Sequence, residues 1–415
     1  MQQHSNHASS NNQPEHRMKI LYLIADGMGG YPLDELGGKT TMEAAVTPNM
    51  DELAKSGIVG RAQTVPEGMA PGSDVANMAL LGFDPATYHT GRGPIEAAAQ
   101  GLELNPDDLV WRLNLVTVSK LSIDGNMRDY SSGHISTDIS RPIVETLQEK
   151  LGDETYTFYP GIQYRHLLVQ KEGALSDDAH ILINPPHDIT DKPIKMDLRV
   201  FSRSPFLWDL IFESKEILDD RDINKSQANS IWPWGQGRPL NLPNFNETFG
   251  LNGAVISAVD LIKGLGFASG MEVIDVEGAT GLLETNYEGK VEAALEFLKD
   301  NDFVFVHLEG PDECGHGGDT DDKVEAISRF DARVVAPLRE ALKDEDVAWI
   351  ITCDHFTPIC ERTHTTDPVP FIINGPGCEA SNIDGFSEKT TESNGITLEN
   401  GYELLAFALD KVGKK

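Results

Sequence analysis

Short apolar runs, each followed by polar or glycine-rich residues, recur at the two ends of the chain. The first run occupies residues 18–25, and others lie within 302–310, 346–355 and 369–377. Continuous apolar runs of this length are typical of strands buried on both faces, as parallel strands are in α/β proteins. The pattern therefore predicts a mostly parallel sheet that is built from distant parts of the chain.

Amphipathic segments alternate with these runs and predict helices that flank the sheet. Residues 48–56 have a helical pattern that ends before Gly57, and further helical patterns cover 254–266, 287–300 and 321–343. A glycine directly after the last residue of such a pattern is a common helix stop. The alternation of strands and helices predicts an α/β fold.

The middle of the chain, residues 88–252, has a different pattern of apolar and polar residues. Hairpin-like strands, a proline-rich stretch and the aromatic segment SIWPWGQGRPL replace the α/β alternation. We expect an inserted α+β domain here, with the core formed by residues 18–87 together with 253–415. The polar residues 1–17 are expected to be a flexible tail.

Composition and charge narrow the range of functions. The 415 residues include 66 Asp and Glu against 34 Lys and Arg, which gives a formal net charge of −32. This acidity disfavours nucleic acids and anionic membranes as partners. No apolar run approaches the roughly 18 residues of a membrane span, and the N-terminus lacks the apolar segment of a secretory signal. Four cysteines without a C-x-x-C pair indicate a reducing cytoplasm.

Acidic residues and histidines gather where the predicted strands end. Three aspartates and three histidines occupy these positions: Asp26, Asp312, His316, Asp354, His355 and His364. The carboxyl ends of parallel strands meet at one edge of a sheet, which is where α/β proteins bind ligands. Carboxylate oxygen and imidazole nitrogen suit Mn²⁺ or Zn²⁺, and Mg²⁺ where histidines are fewer. Six ligands are too many for one catalytic ion and sufficient for two.

Each of these residues also has an ordinary structural interpretation. A lone aspartate after a strand is often a helix cap or a turn former, and a lone histidine is often part of hydrogen-bonded packing. The conjunction favours a metal site, because the whole chain contains only 12 histidines.

Ser73 is the candidate nucleophile. It follows a Pro71-Gly72 turn and opens a helical run at 74–81, where backbone N–H groups attract anions. Its alternative role is a plain helix cap. The surrounding residues do not form the G-x-S-x-G motif, and the segments LDELGGKT, GLGFAS and GRGPIE lack residues that nucleotide-binding loops require. We therefore expect no nucleotide cofactor.

These residues lie in segments that resemble the alkaline phosphatase superfamily, and most closely its archaeal-type branch of cofactor-independent phosphoglycerate mutases. The resemblance covers nearly the whole chain after the tail. It rests on the segments IADGMGG, APGSDVANMALLGFDP, YHTGRGPIEAAAQG, RDYSSGHIST, QYRHLLV, WPWGQG, GAVISAVDLIKGLGFASGM, TNYEGK, GPDECGHGGD and CDHFTPICERTHTTDPVPF. It implies a three-layer core, in which helices flank the mostly parallel sheet, and an inserted substrate-binding cap.

The resemblance also implies roles for individual residues. One metal ion is expected at Asp26, Ser73, Asp354 and His355. The other is expected at Asp312, His316 and His364. Ser73 is expected to carry the phosphoryl group transiently, and Lys290 is expected to be the cation that bridges this serine and the transferred phosphate. The substrate-binding segments of the cap contain His134, Arg165 and Arg238, each of which could otherwise be an ordinary surface charge.

The implied activity is the interconversion of 3-phosphoglycerate and 2-phosphoglycerate through a phosphoserine, with two divalent cations and without bisphosphoglycerate. Mn²⁺ is the first expectation, and Mg²⁺, Zn²⁺ or Co²⁺ fit the same ligands. Three alternatives remain open: a phosphotransferase acting on another small alcohol such as homoserine, a metal-dependent phosphatase, and a metal-binding protein without turnover. Phosphoglycerate is the expected partner, and no oligomeric state is predicted.

Overall fold

A computed structural model describes residues 18–393 and 396–414 of the chain. Residues 1–17, for which the sequence predicts a flexible tail, lie outside the described residues. Within the described residues the chain forms two sheets, one of eight strands and one of five. No described helix is both long and apolar enough to cross a membrane.

The larger sheet takes its strands from both ends of the chain. In chain order the strands are β1 (Lys19–Ala25), β2 (Ile58–Ala62), β3 (Leu109–Val118), β4 (Met127–Asp129), β5 (Tyr156–Tyr159), β6 (Arg165–Gln170), β7 (Ser230–Gly237), β8 (Gly253–Ile256), β9 (Glu272–Ile274), β10 (Phe303–Leu308), β11 (Val347–Thr352), β12 (Val369–Asn374) and β13 (Thr397–Leu398). The order across the larger sheet is β13-β2-β12-β11-β1-β10-β8-β9. Among the described strands of this larger sheet, only β12 runs antiparallel to both of its neighbours.

The register of the central strands brings their carboxyl ends to one edge. Ala25 of β1 lies beside Leu308 of β10, and Ile24 lies beside Thr352 of β11. The side chains of β1 from Ile20 onwards are fully buried, so both faces of the sheet are covered, which explains the uninterrupted apolar run. The residues that follow β1, β10 and β11 therefore emerge together.

Helices cover both sheets. They are α1 (Thr41–Ala44), α2 (Pro48–Ser56), α3 (Ser73–Leu80), α4 (Pro85–Tyr88), α5 (Arg92–Ala99), α6 (Thr137–Leu151), α7 (Lys195–Phe201), α8 (Pro205–Asp219), α9 (Phe245–Phe249), α10 (Asp260–Ala268), α11 (Tyr287–Phe297), α12 (Gly310–Gly317), α13 (Thr320–Phe330), α14 (Ala336–Ala341), α15 (Glu388–Ser393) and α16 (Leu404–Lys411). A π-helical segment, Asp331–Val335, joins α13 to α14, so the predicted helix at 321–343 is nearly continuous.

The smaller sheet is antiparallel and is centred on β3. This strand pairs with β6 and β7 along most of its length and with β4 at its end, and β5 pairs with β6. Trp111 and Leu113 share an apolar core with residues of α6 and α8. Val110, which points to the other face, packs with Ala97 of α5. Both faces of β3 are therefore buried, as its apolar sequence requires.

Each sheet and the helices that cover it form one unit, which we call the larger and the smaller unit. Residues at the junction of the two units belong to the apolar core of the larger sheet. Ile95 of α5 and Phe245 of α9 lie in the same cluster as the residues of β1. Helix α5 packs both on α10 and on β3 and β7. The separate core of the smaller sheet extends from Leu109 to Trp234. Helix α5 is thus the packing surface that the two units share.

The prediction of an α/β fold with a mostly parallel sheet is confirmed, and helix α2 occupies the predicted residues 48–56. The predicted helix at 254–266 is wrong in its first part, because Gly253–Ile256 is strand β8 and α10 begins at Asp260. Residues 254–256 pair in parallel with β10. Apolar residues continue from this strand into the helix, so periodicity alone does not reveal the junction.

Candidate active site

Asp26, Asp354 and His355 meet at the carboxyl edge of the larger sheet. Asp26 follows β1, and the other two follow the neighbouring strand β11. Nε2 of His355 lies 3.3 Å from Oδ2 of Asp354 and 3.5 Å from Oδ1 of Asp26. All three side chains are fully buried. We call these residues the first group.

Asp312, His316 and His364 form a second group beside the first. Asp312 and His316 are one turn apart on α12, so their side chains lie on one face of that helix. The Nε2 atoms of His316 and His364 are 2.9 Å apart, and each lies within 3.5 Å of an oxygen of Asp312. Nδ1 of His316 donates to the carbonyl of Arg362, which directs Nε2 toward Asp312. The ring centroids of His364 and His355 are 4.0 Å apart, so the two groups adjoin.

The carboxylate of Asp26 shows how well these residues fit a cation. Among the described residues, neither of its oxygens has a hydrogen-bond partner, although both are buried. A buried carboxylate without a donor is unfavourable unless a positive charge compensates it. Each group offers ligand atoms that lie within 4.8 Å of one another. The oxygens and imidazole nitrogens of both groups therefore suit divalent cations.

Ser73 is the first residue of α3, and its hydroxyl oxygen lies 3.1 Å from Nε2 of His355. Gly72 occupies the N-cap position, so Ser73 is not a plain helix cap. Asn77, one turn further on, donates to the carbonyl of Ser73 at 2.9 Å and to Oδ2 of Asp354 at 2.8 Å. These bonds hold the serine helix against the first group.

Gly27 allows the two groups to approach each other. Its φ is +62°, and a Cβ at this position would lie 2.6 Å from Oγ1 of Thr357 and 2.7 Å from Oδ1 of Asp312. Its N–H donates to Oδ1 of Asp354 at 3.1 Å. The Thr357 hydroxyl, which lies beside Gly27, donates to Asp312. Gly27 and Thr357 therefore link the carboxylates of the two groups.

The pKa values of the carboxyl groups diverge. Burial, followed by the charges of Asp354 and Asp312, raises the pKa of Asp26 well above its usual value. Burial also acts to raise the pKa of Asp312, but hydrogen bonds from His316 and His364 outweigh it and hold that pKa well below its usual value. Burial opposes protonation of His316, yet Asp312 raises its pKa to about 9. The His316 imidazole therefore supplies positive charge beside Asp312, whereas the neighbours that dominate at Asp26 are other carboxylates.

Lys290 lies on α11 and is almost fully buried. Its Nζ donates to the main-chain carbonyl of His307 at 2.8 Å. Burial lowers the pKa of Lys290 to about 8, although the Glu309 carboxylate acts in the opposite direction. Burial and the charge of Asp312 raise the pKa of Glu309 to about 8. A cationic and an acidic side chain thus flank the end of β10.

Arg165 and His134 lie on the part of the smaller unit that faces these groups. The Arg165 guanidinium is close enough to Glu309 to lower the pKa of that carboxyl group, and it lies 5.7 Å from the centre of the Tyr164 ring. The His134 ring meets the same tyrosine edge-on, with centroids 6.4 Å apart. Residues 132–134 have φ values of 51°, 75° and 51°, a strained turn of the kind found at binding sites.

Three further residues lie on the same side of the smaller unit as Arg165 and His134. They are Arg92, Arg112 and His187, and no sequence pattern singled them out. Arg112 is buried and pairs with Glu96 at 2.8 Å. Burial lowers the pKa of His187 to about 4, and the charges of Arg92, Arg112 and His316 act in the same direction. The His187 ring meets the Tyr130 ring edge-on, with centroids 6.0 Å apart, and Tyr130 also contacts the His134 ring. We call the five residues of this side the basic face: Arg92, Arg112, His134, Arg165 and His187.

Arg92 also reaches the serine turn. Its Nε lies 3.4 Å from Oδ2 of Asp74, and its guanidinium lies 2.9 Å from the position that a Cβ of Gly72 would occupy. His89 approaches the same Asp74 oxygen at 2.8 Å. Burial opposes ionisation of Asp74, but the charge of Arg92 and the hydrogen bond from His89 hold its pKa well below its usual value. The start of α5 is thus bonded to the residue that follows Ser73.

The structure pairs Arg238 with Asp107. The two side chains are joined by a 2.6 Å hydrogen bond, and the guanidinium also donates to the carbonyl of Ala174 at 3.2 Å. Among the described contacts, none joins Arg238 to either group. Of the three basic residues expected to bind substrate, Arg165 acts on the Glu309 carboxyl group, His134 contacts Tyr164 beside Arg165, and Arg238 is engaged elsewhere.

Sequence inspection missed residues of two kinds. Glu309 directly follows an apolar run, which is the signal that also marks Asp26, so it could have been found. His307 lies inside the run of β10 and is indistinguishable there from a packing residue. Arg92 and Arg112 carry no local signal, since only folding brings them to the site.

Known sequences are similar to this chain over nearly its whole length. A family model described as 2,3-bisphosphoglycerate-independent phosphoglycerate mutase matches residues 54–224. A Methanosarcina barkeri protein of that name is 46% identical over 400 residues, which cover 94% of this chain and 99% of the relative. A Geobacter sulfurreducens protein, named as a probable enzyme of this type, is 44% identical over 95% of this chain and 100% of its own.

Solved structures share the fold. A Pyrococcus horikoshii protein superposes with a TM-score of 0.81 at 29% identity, over 96% of this chain and 98% of that one. The cofactor-independent phosphoglycerate mutase of Thermoplasma acidophilum superposes with a TM-score of 0.63 at 26% identity, over 95% and 100% of the two chains. Because the coverage is nearly complete, the similarity includes both sheets.

Gly27→Ala and Gly37→Ala form a matched pair, because the two glycines have φ values of +62° and +65°. A Cβ at Gly37 meets nothing within 4 Å, so its substitution should lower the free energy of unfolding by about 1 kcal/mol through backbone strain alone. Gly27→Ala should lower it by about 2–4 kcal/mol, because its Cβ also overlaps Thr357 and Asp312. Urea denaturation measures both losses, and equal losses would contradict the close packing of the two groups.

Proposed function

The chain belongs to the family of 2,3-bisphosphoglycerate-independent phosphoglycerate mutases, and from this premise we propose its reaction in molecular detail. It interconverts 3-phosphoglycerate and 2-phosphoglycerate, with Ser73 as the carrier of the phosphoryl group. The position of the Ser73 hydroxyl supports this proposal, since it lies beside His355 in a buried group whose Asp26 oxygens lack hydrogen-bond partners. No bisphosphoglycerate is needed, because the serine itself holds the phosphoryl group between the two transfers.

The two groups supply the residues that would hold divalent cations. One cation would be held by Asp26, Ser73, Asp354 and His355, and the other by Asp312, His316 and His364. Such cations, when bound, neutralise phosphate charge and lower the pKa of a coordinated hydroxyl. We propose Mn²⁺, because both groups mix carboxylate oxygen with imidazole nitrogen, and Mg²⁺, Zn²⁺ or Co²⁺ are the alternatives.

Ser73 performs the transfer in two steps. Its hydroxyl oxygen attacks the phosphorus of 3-phosphoglycerate, and the bond from phosphorus to the 3-oxygen of glycerate breaks. Glycerate then turns within the site, and its 2-hydroxyl oxygen attacks the phosphorus of the phosphoserine. The bond from phosphorus to Oγ of Ser73 breaks, the 2-hydroxyl loses its proton, and the serine hydroxyl is restored. The N-cap residue Gly72 makes no side-chain hydrogen bond to the first N–H groups of α3, so phosphate oxygens can approach the start of this helix, and Asn77 keeps the backbone of Ser73 fixed. Lys290 is proposed to assist with its positive charge.

The basic face binds the anionic parts of the substrate. Arginine forms paired hydrogen bonds with carboxylates and phosphates, so Arg112 and Arg165 are suited to hold glycerate between the two steps. Enclosure of the site by the smaller unit would exclude water. Water that reached the phosphoserine would hydrolyse it and convert the mutase into a phosphatase.

We also propose that the reaction takes place in the cytoplasm. All four cysteines carry free thiols: Cys314, Cys353, Cys360 and Cys378. Free thiols are typical of proteins in reducing compartments.

The experiment that tests the reaction is a coupled assay of 2-phosphoglycerate formation from 3-phosphoglycerate, with no bisphosphoglycerate added. We expect activity with Mn²⁺, loss of that activity on chelation with EDTA, and recovery when Mn²⁺ is returned. Release of inorganic phosphate as the main product would instead identify a phosphatase. ATP-dependent phosphorylation of homoserine without mutase activity would identify a kinase, an activity for which the relatives described above are not named.

Ser73→Ala should reduce kcat by at least about 10³-fold, because the variant has no atom that can carry the phosphoryl group. The coupled assay measures the loss, and circular dichroism checks that the variant is folded. Ser393→Ala, which changes an exposed serine of α15, is the matched control and should leave kcat unaltered. Substantial mutase activity in Ser73→Ala would contradict the assignment of the nucleophile.

Arg165→Ala and Arg238→Ala compare a residue of the basic face with an arginine that lies outside it. Loss of a charged hydrogen bond to substrate should raise the KM for 3-phosphoglycerate by about 10-fold or more in Arg165→Ala. Arg238→Ala removes a partly exposed ion pair with Asp107 and should change KM by less than about 2-fold. Steady-state kinetics measures both, and the reverse order of effects would show that Arg238 binds the substrate.

A further inference from the structure

We propose that His307 is a positioning residue for Asp26: its Nε2–H orients one carboxylate oxygen and leaves the other for a divalent cation. The inference rests on the metal groups proposed above. His307 belongs to β10 and is fully buried. Its Nε2 lies 2.9 Å from Oδ2 of Asp26.

The backbone determines where the ring of His307 can reach. His307 pairs in parallel register with Ile24, two residues before Asp26. Its carbonyl accepts the 2.8 Å hydrogen bond from Nζ of Lys290. One residue therefore connects the buried lysine of α11 with the carboxylate at the end of β1.

Ser257 decides which ring nitrogen carries the proton. Its hydroxyl oxygen lies 3.2 Å from Nδ1 of His307 and already accepts a hydrogen bond from the N–H of Val259 at 3.0 Å. We assign the hydroxyl hydrogen of Ser257 to this contact, with Nδ1 of His307 as the acceptor. A neutral imidazole whose Nδ1 accepts a hydrogen bond carries its proton on Nε2.

The short contact with Asp26 supports the same tautomer. With the proton on Nδ1, a bare nitrogen lone pair would lie 2.9 Å from a carboxylate oxygen, and the two would repel each other. With the proton on Nε2, the contact is attractive. The tautomer that Ser257 favours is thus also the one that the charge of Asp26 favours.

The contact orients Asp26 without saturating it. Its geometry falls short of an aligned hydrogen bond, and it involves Oδ2 alone, so Oδ1 remains for a cation. Oδ2 lies beside His307, and Oδ1 lies 3.5 Å from Nε2 of His355 within the first group. Outer partners of this kind hold ligands in the orientation that a metal requires.

His307→Leu tests the proposal, because it removes the N–H while keeping a buried side chain. Electron paramagnetic resonance of free Mn²⁺ measures binding to the full chain independently of catalysis. We expect the unaltered chain to bind two Mn²⁺ ions and His307→Leu to bind one of them about 10–100-fold more weakly. His307→Gln should restore most of this affinity, because its side-chain N–H reaches nearly the position of Nε2.

His166→Leu is the matched control. His166 is also a fully buried strand histidine, and its Nδ1 accepts the N–H of Gly161 at 3.0 Å, but it belongs to the smaller sheet. This variant should leave both Mn²⁺ affinities unaltered. Wild-type Mn²⁺ affinities in a folded His307→Leu would overturn the positioning role. Absence of Mn²⁺ binding by the unaltered chain would overturn the metal groups themselves.

Ser257→Ala provides the answer if His307→Leu does not fold. It retains the imidazole but removes the hydroxyl that donates to Nδ1. We expect a smaller loss of Mn²⁺ affinity, on the order of 5-fold, as one hydrogen bond is removed. Unaltered affinity in this variant would overturn the assignment of the proton to Nε2, and with it the proposed contact.

Discussion

The burial of three carboxylates in one place, those of Asp26, Asp312 and Asp354, is the constraint on which the site depends. The parallel register of β1 and β11 brings Asp26 and Asp354 together, and α12 places Asp312 alongside. Like charges repel strongly where water is excluded. The described residues surround them with histidines and give the Asp26 oxygens no aligned hydrogen bond, so the arrangement is suited to cations. Gly27 and Asn77 are needed because the groups must pack so closely.

The two units present opposite charges at their common boundary. The larger unit contributes the carboxylates, and the smaller unit, with α5, contributes the basic face. A phosphoglycerate lying between them would meet arginines on one side and cations on the other. The net charge of −32 has little influence there, because exposed charges beyond about 8 Å are screened at physiological salt. Through Arg92 and Asp74, the unit that we propose to hold the substrate is also bonded to the helix that carries Ser73.

The residues that could be predicted from the sequence are those with a local signal. Asp26 ends an apolar run, and Ser73 follows a Pro-Gly turn, so a linear pattern marks both. Arg112 lies in the middle of β3, and only the packing of that strand on α5 brings it to the site. Arg238 directly follows the matching motif WPWGQG, yet it pairs with Asp107, 131 residues earlier, and no local pattern contains that ion pair. Strand β8 was hidden for a similar reason, since its partner β10 is distant in sequence.

We propose that Ser73 holds the phosphoryl group during turnover, and a rapid-quench measurement tests this most directly. The Mn²⁺-loaded enzyme is mixed with 3-phosphoglycerate, quenched in acid during turnover, and digested for tandem mass spectrometry of its peptides. We expect covalent phosphate on Ser73, present only when substrate has been added. Full mutase turnover without phosphate on Ser73, or with phosphate on a different residue, would contradict the mechanism.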